Sequence, residues 1–96
     1  MGDEQLEGLP DSDSLSSAAL SKLRWRCRRG LLENDLFIER FFNRHAQVLT
    51  VGQARGVYAL MELADNDLLD VLLDRPHTQT VTQDPRVQSV LHLLKV

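Results

Sequence analysis

Apolar residues recur at three- and four-residue spacing along almost the whole chain after residue 15, and α-helices are the structures that bury such a pattern on one face. The clearest example follows Thr50. Thr50 and Gln53 are three residues apart, which is the spacing of the capping box at the start of a helix. The apolar residues that follow it fall at positions i, i+3, i+4 and i+7, namely Val57, Leu60, Met61 and Ala64. The pattern predicts a helix that begins at Thr50.

Two further helices are predicted before that threonine. The first begins at Ser16 or Ser17, either of which can cap a helix, and runs to Gly30. The second begins near Glu33 or Asn34 and ends before residue 50. The apolar faces of the two helices are Ala19, Leu20, Leu23 and Cys27 in the first and Phe37, Ile38, Phe41, Phe42 and His45 in the second.

Two more helices are predicted after it. Residues 65–67, Asp-Asn-Asp, offer groups that stop the third helix and cap a fourth, which Pro76 ends. Residues 78–82 alternate like a strand, but one isolated run has no pairing partner and is predicted to be a loop. Asp84 and Pro85 then form a capping residue and a first-position proline for a fifth helix. The apolar residues of these helices are Leu68, Leu69, Val71, Leu72 and Leu73, and then Val87, Val90, Leu91 and Leu94.

The chain has 96 residues, enough for one small domain with a single core. Only 5% of the residues are aromatic, so leucine and valine must form most of that core. Residues 1–14 carry five carboxylates and no cation, with the turn formers Gly8 and Pro10 among them, which predicts a disordered acidic tail. The predicted fold is therefore all-α, a single five-helix bundle over residues 15–96 preceded by this tail.

Several classes of protein are disfavoured by the composition. His45, His77, His92 and Cys27 lack the paired spacing of metal sites, and no nucleophile can be matched with a base and an orienting acid, so neither a metal site nor an enzyme is expected. Cys27 is expected in the core, with a reactive role as a minor alternative. No apolar run reaches the length of a membrane span, and no signal peptide opens the chain. These features predict a soluble protein of the bacterial cytoplasm.

Charge reverses sign abruptly around Gly30. Three carboxylates follow the glycine and five cations precede it, namely Lys22, Arg24, Arg26, Arg28 and Arg29. Ordinary helix punctuation explains this order, because cations suit the end of one helix and carboxylates suit the start of the next. It does not explain the number of cations, since like charges this close repel one another by about 0.2–0.5 kcal/mol per pair. The crowding favours a surface that binds a partner.

Trp25 lies among these arginines, and its residue type leaves two interpretations open: a core anchor at the helix edge or an interface hot spot. The acidic residues Glu62, Asp65, Asp67, Asp70 and Asp74 are predicted to form a solvated face that gives the molecule a second pole.

A nucleic-acid-binding module that uses the arginine-rich helix is the alternative function, although a net charge of −3 opposes it. A protein adaptor with a different kind of partner is a further alternative.

Residues 25–35 read Trp-Arg-Cys-Arg-Arg-Gly-Leu-Leu-Glu-Asn-Asp, which resembles the W-x-C-R-R-G-x-x-E-x-D segment of the SdhE flavinylation factors. Phe41 and Phe42 look like the paired phenylalanines of that family. Residues 60–69, with the sequence LMELADNDLL, are similar to its L-x-E-x-x-D-x-D-L stretch. The resemblance covers roughly residues 20–75.

The resemblance implies a small helical assembly factor that binds the flavoprotein subunit of succinate dehydrogenase, and in some bacteria that of fumarate reductase. Such a factor promotes covalent FAD attachment in its partner without being the catalyst, so no cofactor, nucleic acid or membrane insertion is expected for the chain itself. Carried onto this sequence, the signature partner-binding residues would be Arg29, Gly30 and Glu33, and the neighbouring ones Trp25, Arg28 and Asp35.

Overall fold

The computed structural model describes residues 6–28 and 32–95, and these form five α-helices. The helices are α1 (Ser17–Arg26), α2 (Leu32–His45), α3 (Val51–Leu60), α4 (Asp65–Leu72) and α5 (Pro85–Lys95). Within the described residues there is no β-strand, and the single bridge joins Ser14 to Thr50. The all-α architecture predicted from the sequence is confirmed.

Residues from all five helices meet in one core, and leucine and valine supply most of it. The residues with no exposed surface include Leu23, Leu60, Leu68, Val87 and Val90. Cys27 is also buried, as predicted for a core position. Full burial of one such aliphatic side chain contributes about 1.5–3 kcal/mol. The predicted apolar faces are therefore what holds the helices together.

Three of the predicted helix starts are present with their hydrogen bonds. Ser16 caps α1, its Oγ accepting from the amide of Ala19 at 3.1 Å. Thr50 and Gln53 make both bonds of the capping box at the start of α3, at 3.2 and 3.0 Å. At the start of α5, Asp84 Oδ1 accepts from the amide two residues later at 2.8 Å. These polar side chains define where the apolar helices begin.

The joint between α3 and α4 differs from its prediction. Ala64 is the cap of α4 and makes no side-chain bond, while Asp65 and Asp67 lie in the first turn. A carboxylate in the first turn is stabilised by the positive end of the helix dipole, so the acidic residues still favour this start. The helix ends at Leu72, before the left-handed Asp74 (φ 58°) and therefore before the predicted stop at Pro76. Residues 78–82 form no strand, as predicted, but only the first two are irregular, and the other three begin a short 3-10 turn (Thr80–Gln83) that was not predicted.

Helix α1 runs in the same direction as α3 and is bonded near both of its ends. Ahead of α1, the amide of Leu15 donates to the carbonyl of Leu49 at 2.9 Å. At the other end, Arg26 donates to the carbonyl of Met61 at 3.1 Å and pairs with Glu62 at 3.0 Å. These bonds position the end of α1 that carries Trp25.

Residues 6–14 belong to the segment predicted as a disordered tail, and they pack against the helices. Leu6 is 2% exposed and is part of the core. Residues 1–5 lie outside the described part of the chain, so the prediction of a disordered tail stays a prediction for them.

None of the described helices has the length and apolar character needed to cross a membrane.

Candidate functional site

A groove of about 540 Å³ lies between α2 and α1 with the two residues that follow α1. The spacing of its residues explains how two helices form it, since positions three and four apart share one face of a helix. The wall from α1 and the two residues after it consists of Ser21, Arg24, Trp25, Cys27 and Arg28. The wall from α2 consists of Leu32, Asp35, Ile38, Glu39 and Phe42.

Trp25 is the most exposed large apolar side chain of the described residues, with 76% of its surface accessible. Leu32 on the facing wall is 68% exposed. A large ring left in water is unfavourable for an isolated domain, and tryptophan is the residue type most enriched at binding hot spots. Of the two interpretations left open by the sequence, the core anchor is wrong, and the position favours an interface.

The groove has charges of opposite sign on its two walls. Arg24 and Arg28 lie on the α1 side, and Asp35 and Glu39 lie on the α2 side. The Arg24 guanidinium also sits 5.2 Å from the ring centre of Phe42, a cation–π contact that joins the walls. A partner that fits this groove needs an apolar side chain to contact its apolar residues. Beside that side chain it needs a carboxylate that faces the arginines and a cation that faces the carboxylates.

The cations of the first helix do not form one continuous basic face. Arg26 points away from the groove and lies between the Met61 carbonyl and Glu62. Glu62 of the predicted acidic face therefore lies next to the basic end of α1. Asp70 and Asp74 in that acidic run pair with Arg75 and Lys95, which reduces the run's net charge further.

Three of the six site residues predicted from the sequence meet in the groove, namely Trp25, Arg28 and Asp35. Glu33 is exposed in the first turn of α2 and does not line the groove. Arg29 and Gly30 lie outside the described residues, so their assignment remains a prediction.

Sequence reasoning missed two features of the site. The groove residues Arg24 and Glu39 could have been found from their helical spacing to Arg28 and Asp35. Asn34, by contrast, has no exposed surface, and its Nδ2 donates to the carbonyl of Asp65 at 2.9 Å. That bond joins the start of α2 to the start of α4, and no pattern in the sequence indicates it.

The described residues contain no group of three histidine, cysteine, aspartate or glutamate side chains that could hold a metal ion. The groove offers an exposed apolar ring beside charges of both signs, which suits it to contact with another molecule.

Comparison with known proteins bears on what that molecule is. A family model described as flavinator of succinate dehydrogenase matches residues 21–95. A protein named FAD assembly factor SdhE from Ralstonia nicotianae is 48% identical over 75 residues, which cover 78% of this chain and 79% of the relative. One of the same name from Coxiella burnetii is 40% identical over 55 residues, covering 57% and 67%. A third, from Aliivibrio fischeri, is 26% identical over 76 residues, covering 79% and 88%. No solved structure matches the chain.

Proposed function

The chain belongs to the family of succinate dehydrogenase flavinators that includes the FAD assembly factors named SdhE, and from this premise we propose that it binds the flavoprotein subunit of succinate dehydrogenase and promotes covalent attachment of FAD. The observation that supports the proposal most directly is the exposed Trp25 in a groove with oppositely charged walls. The chain acts as a binding partner in the cytoplasm and not as the catalyst.

Binding can raise the rate of a reaction that the partner carries out itself. Suppose that the flavoprotein exchanges between two conformations and that its binder has a higher affinity for one of them. Binding then shifts the equilibrium toward that conformation, by a free energy equal to the difference between the two binding free energies. If the preferred arrangement aligns the flavin with the side chain that accepts it, the rate rises because alignment removes part of the entropic barrier. The groove contributes affinity and orientation to this step.

The test uses two exposed apolar residues that differ in location. Trp25 is 76% exposed in the groove, whereas Val48 is 71% exposed in a 3-10 turn after α2. Trp25→Ala should lower flavoprotein binding by about tenfold or more, as expected for a hot-spot aromatic, and Val48→Ala should leave it unchanged. The readout is flavin fluorescence of the denatured flavoprotein subunit after co-expression, together with co-purification of the two proteins. Thermal unfolding of both variants controls for loss of the fold.

The motif residues are tested in the same assay. We expect Gly30→Arg and Glu33→Ala to reduce covalent flavin, and Arg28→Glu or Asp35→Arg to reverse one wall of the groove and weaken binding. Wild-type levels of covalent flavin in all of these variants would contradict the site. A pull-down of the wild-type chain that recovers no flavoprotein would favour a protein adaptor with no link to flavin. Running the assay with the fumarate reductase flavoprotein subunit as well tests whether the chain serves a second partner.

A further inference from the structure

The segment before the first helix, residues 6–14, precedes the part of the chain that the family model matches, yet it is bonded to α3 at residues 6, 11 and 13. Arg55 donates to the carbonyl of Leu6 at 2.8 Å. The amides of Gly52 and Val51 donate to the carbonyls of residues 11 and 13, at 3.0 and 2.8 Å. A side chain at position 52 would collide with Asp11, since a Cβ there would lie 2.9 Å from the Asp11 Cβ. The first turn of α3 is shaped to accept this segment.

Asp11 joins the segment to two helices at once. Its Oδ2 accepts from Arg86 Nε of α5 at 2.6 Å, and its Oδ1 accepts from Arg55 Nη1 of α3. The bonds to Arg86 and Arg55, in that order of effect, hold the pKa of Asp11 below its ordinary value. Charge-assisted bonds of this kind are stronger than neutral ones, so Asp11 is the main polar anchor of the segment.

The segment leads directly into α1, and α1 itself is buried at few positions. Ala19 and Leu23 are its buried residues, with Cys27 just beyond its end. The start of α1 is placed by the bonds of residues 13–15 to the residues around Thr50. Arg26 is bonded at the other end. Loss of the bonds at the start would remove the attachment of that end, while Ala19, Leu23 and the partly buried Leu20 still contact the core.

We propose that residues 6–14 form a clasp which Asp11 closes across Arg55 and Arg86, and that this clasp holds α1, and with it one wall of the groove, in place. Asp11 is thereby a positioning residue for a groove that it does not contact. Local opening of a segment has its own free energy, which can be far smaller than that of global unfolding. The clasp is such a segment, and its opening loosens α1 before the rest of the bundle.

The test measures amide hydrogen exchange of the full-length chain without any partner. Asp11→Asn keeps the size of the side chain and removes both ion pairs. Asp13→Asn makes the same charge change two residues away, where the contact to α3 is made by the backbone carbonyl. In the wild type we expect the amides of Ser17–Arg26 to exchange faster than the slowest core amides, and in Asp11→Asn to become about fivefold faster still, as for the loss of two part-exposed ion pairs. Asp13→Asn should match the wild type. Equal exchange of α1 in the two variants, or α1 amides that exchange as slowly as the slowest core amides in the wild type, would overturn the proposal.

A second variant separates the ion pair from general effects of the substitution. Arg86→Gln should reproduce part of the acceleration in α1, and adding it to Asp11→Asn should change little, because the bond is already absent. Fully additive effects would contradict a shared clasp. These measurements involve no flavoprotein, so they can fail while the proposed function stands, and the reverse also holds.

Discussion

Asn34 and Trp25 show at the scale of single residues what a sequence leaves open. The asparagine is fully buried and the tryptophan is largely exposed, the reverse of what their residue types favour. The burial of both side chains depends on tertiary structure. Asn34 is bonded to the Asp65 carbonyl of another helix, and Trp25 lies in the wall of the groove between α1 and α2. Helical spacing assigns a residue to a face, but it does not say whether another element covers that face.

Asp11 has a titration behaviour that can be checked directly. Its folded pKa lies below the unfolded value because Arg86 and Arg55 pair with the charged form, and Asp84 is a further charge beside Arg86. A carboxyl group whose pKa is lowered by folding stabilises the folded state at pH values above its pKa in the unfolded chain. This contribution is lost as the pH falls through its pKa in the folded state.

We expect the wild type to be more stable than Asp11→Asn at neutral pH, by roughly fivefold in the unfolding equilibrium constant. The difference should remain constant from about pH 7 to pH 5 and shrink below about pH 4. Chemical denaturation across this range gives both curves, and Asp13→Asn controls for the loss of one charge. A difference that grows as the pH is lowered would contradict the pairing.

At the scale of elements, the helices were predictable wherever a side chain caps them and apolar spacing follows. Thr50 and Asp84 are examples, because each supplies its hydrogen bond within its own helix. The start of α4 and the packing of residues 6–14 were not predictable in the same way. Three consecutive candidate caps at residues 65–67 compete locally, and the 6–14 segment gains its order from Arg55 and Arg86, which are distant in sequence.

Helices α3 and α5 pack closely at Gly56, and this contact predicts the effect of a small substitution. A Cβ at position 56 would lie 2.5 Å from the carbonyl oxygen of Arg86 and 3.2 Å from Val90 Cγ2. Alanine would gain about 1 kcal/mol of helix propensity over glycine. Overpacking against a backbone that cannot move alone costs about 1–3 kcal/mol.

We therefore expect Gly56→Ala to be destabilising by about 1 kcal/mol, seen as a lower midpoint in thermal or denaturant unfolding. Gly52→Ala is the matched control, because its Cβ would meet Asp11 of the clasp and leave the contact between α3 and α5 intact. That variant should show faster exchange in α1 with a smaller loss of global stability. A Gly56→Ala protein more stable than the wild type would show that the two helices can separate at no cost.

At the scale of the whole molecule, charge is distributed in small pairs and not in two large poles. The net charge is −3, and the groove itself carries two cations opposite two carboxylates. Arg26 is engaged by Glu62 at the side of the groove. A polyanion binds along a continuous cationic track, and the described surface of α1 and α2 interrupts such a track with acidic side chains.

We expect no retardation of single-stranded DNA, RNA or duplex DNA in gel shifts at physiological salt with protein up to about 100 µM, where nonspecific binders of nucleic acid are already retarded. The variant Asp35→Lys with Glu39→Lys makes both walls of the groove cationic and serves as the positive control. It should bind, and its affinity should fall steeply as salt is raised, because each phosphate contact releases counterions. Retardation by the wild type with a similar salt slope would mean that Arg24 and Arg28 reach phosphates despite the facing carboxylates, and the nucleic-acid alternative would then replace the protein partner at this groove.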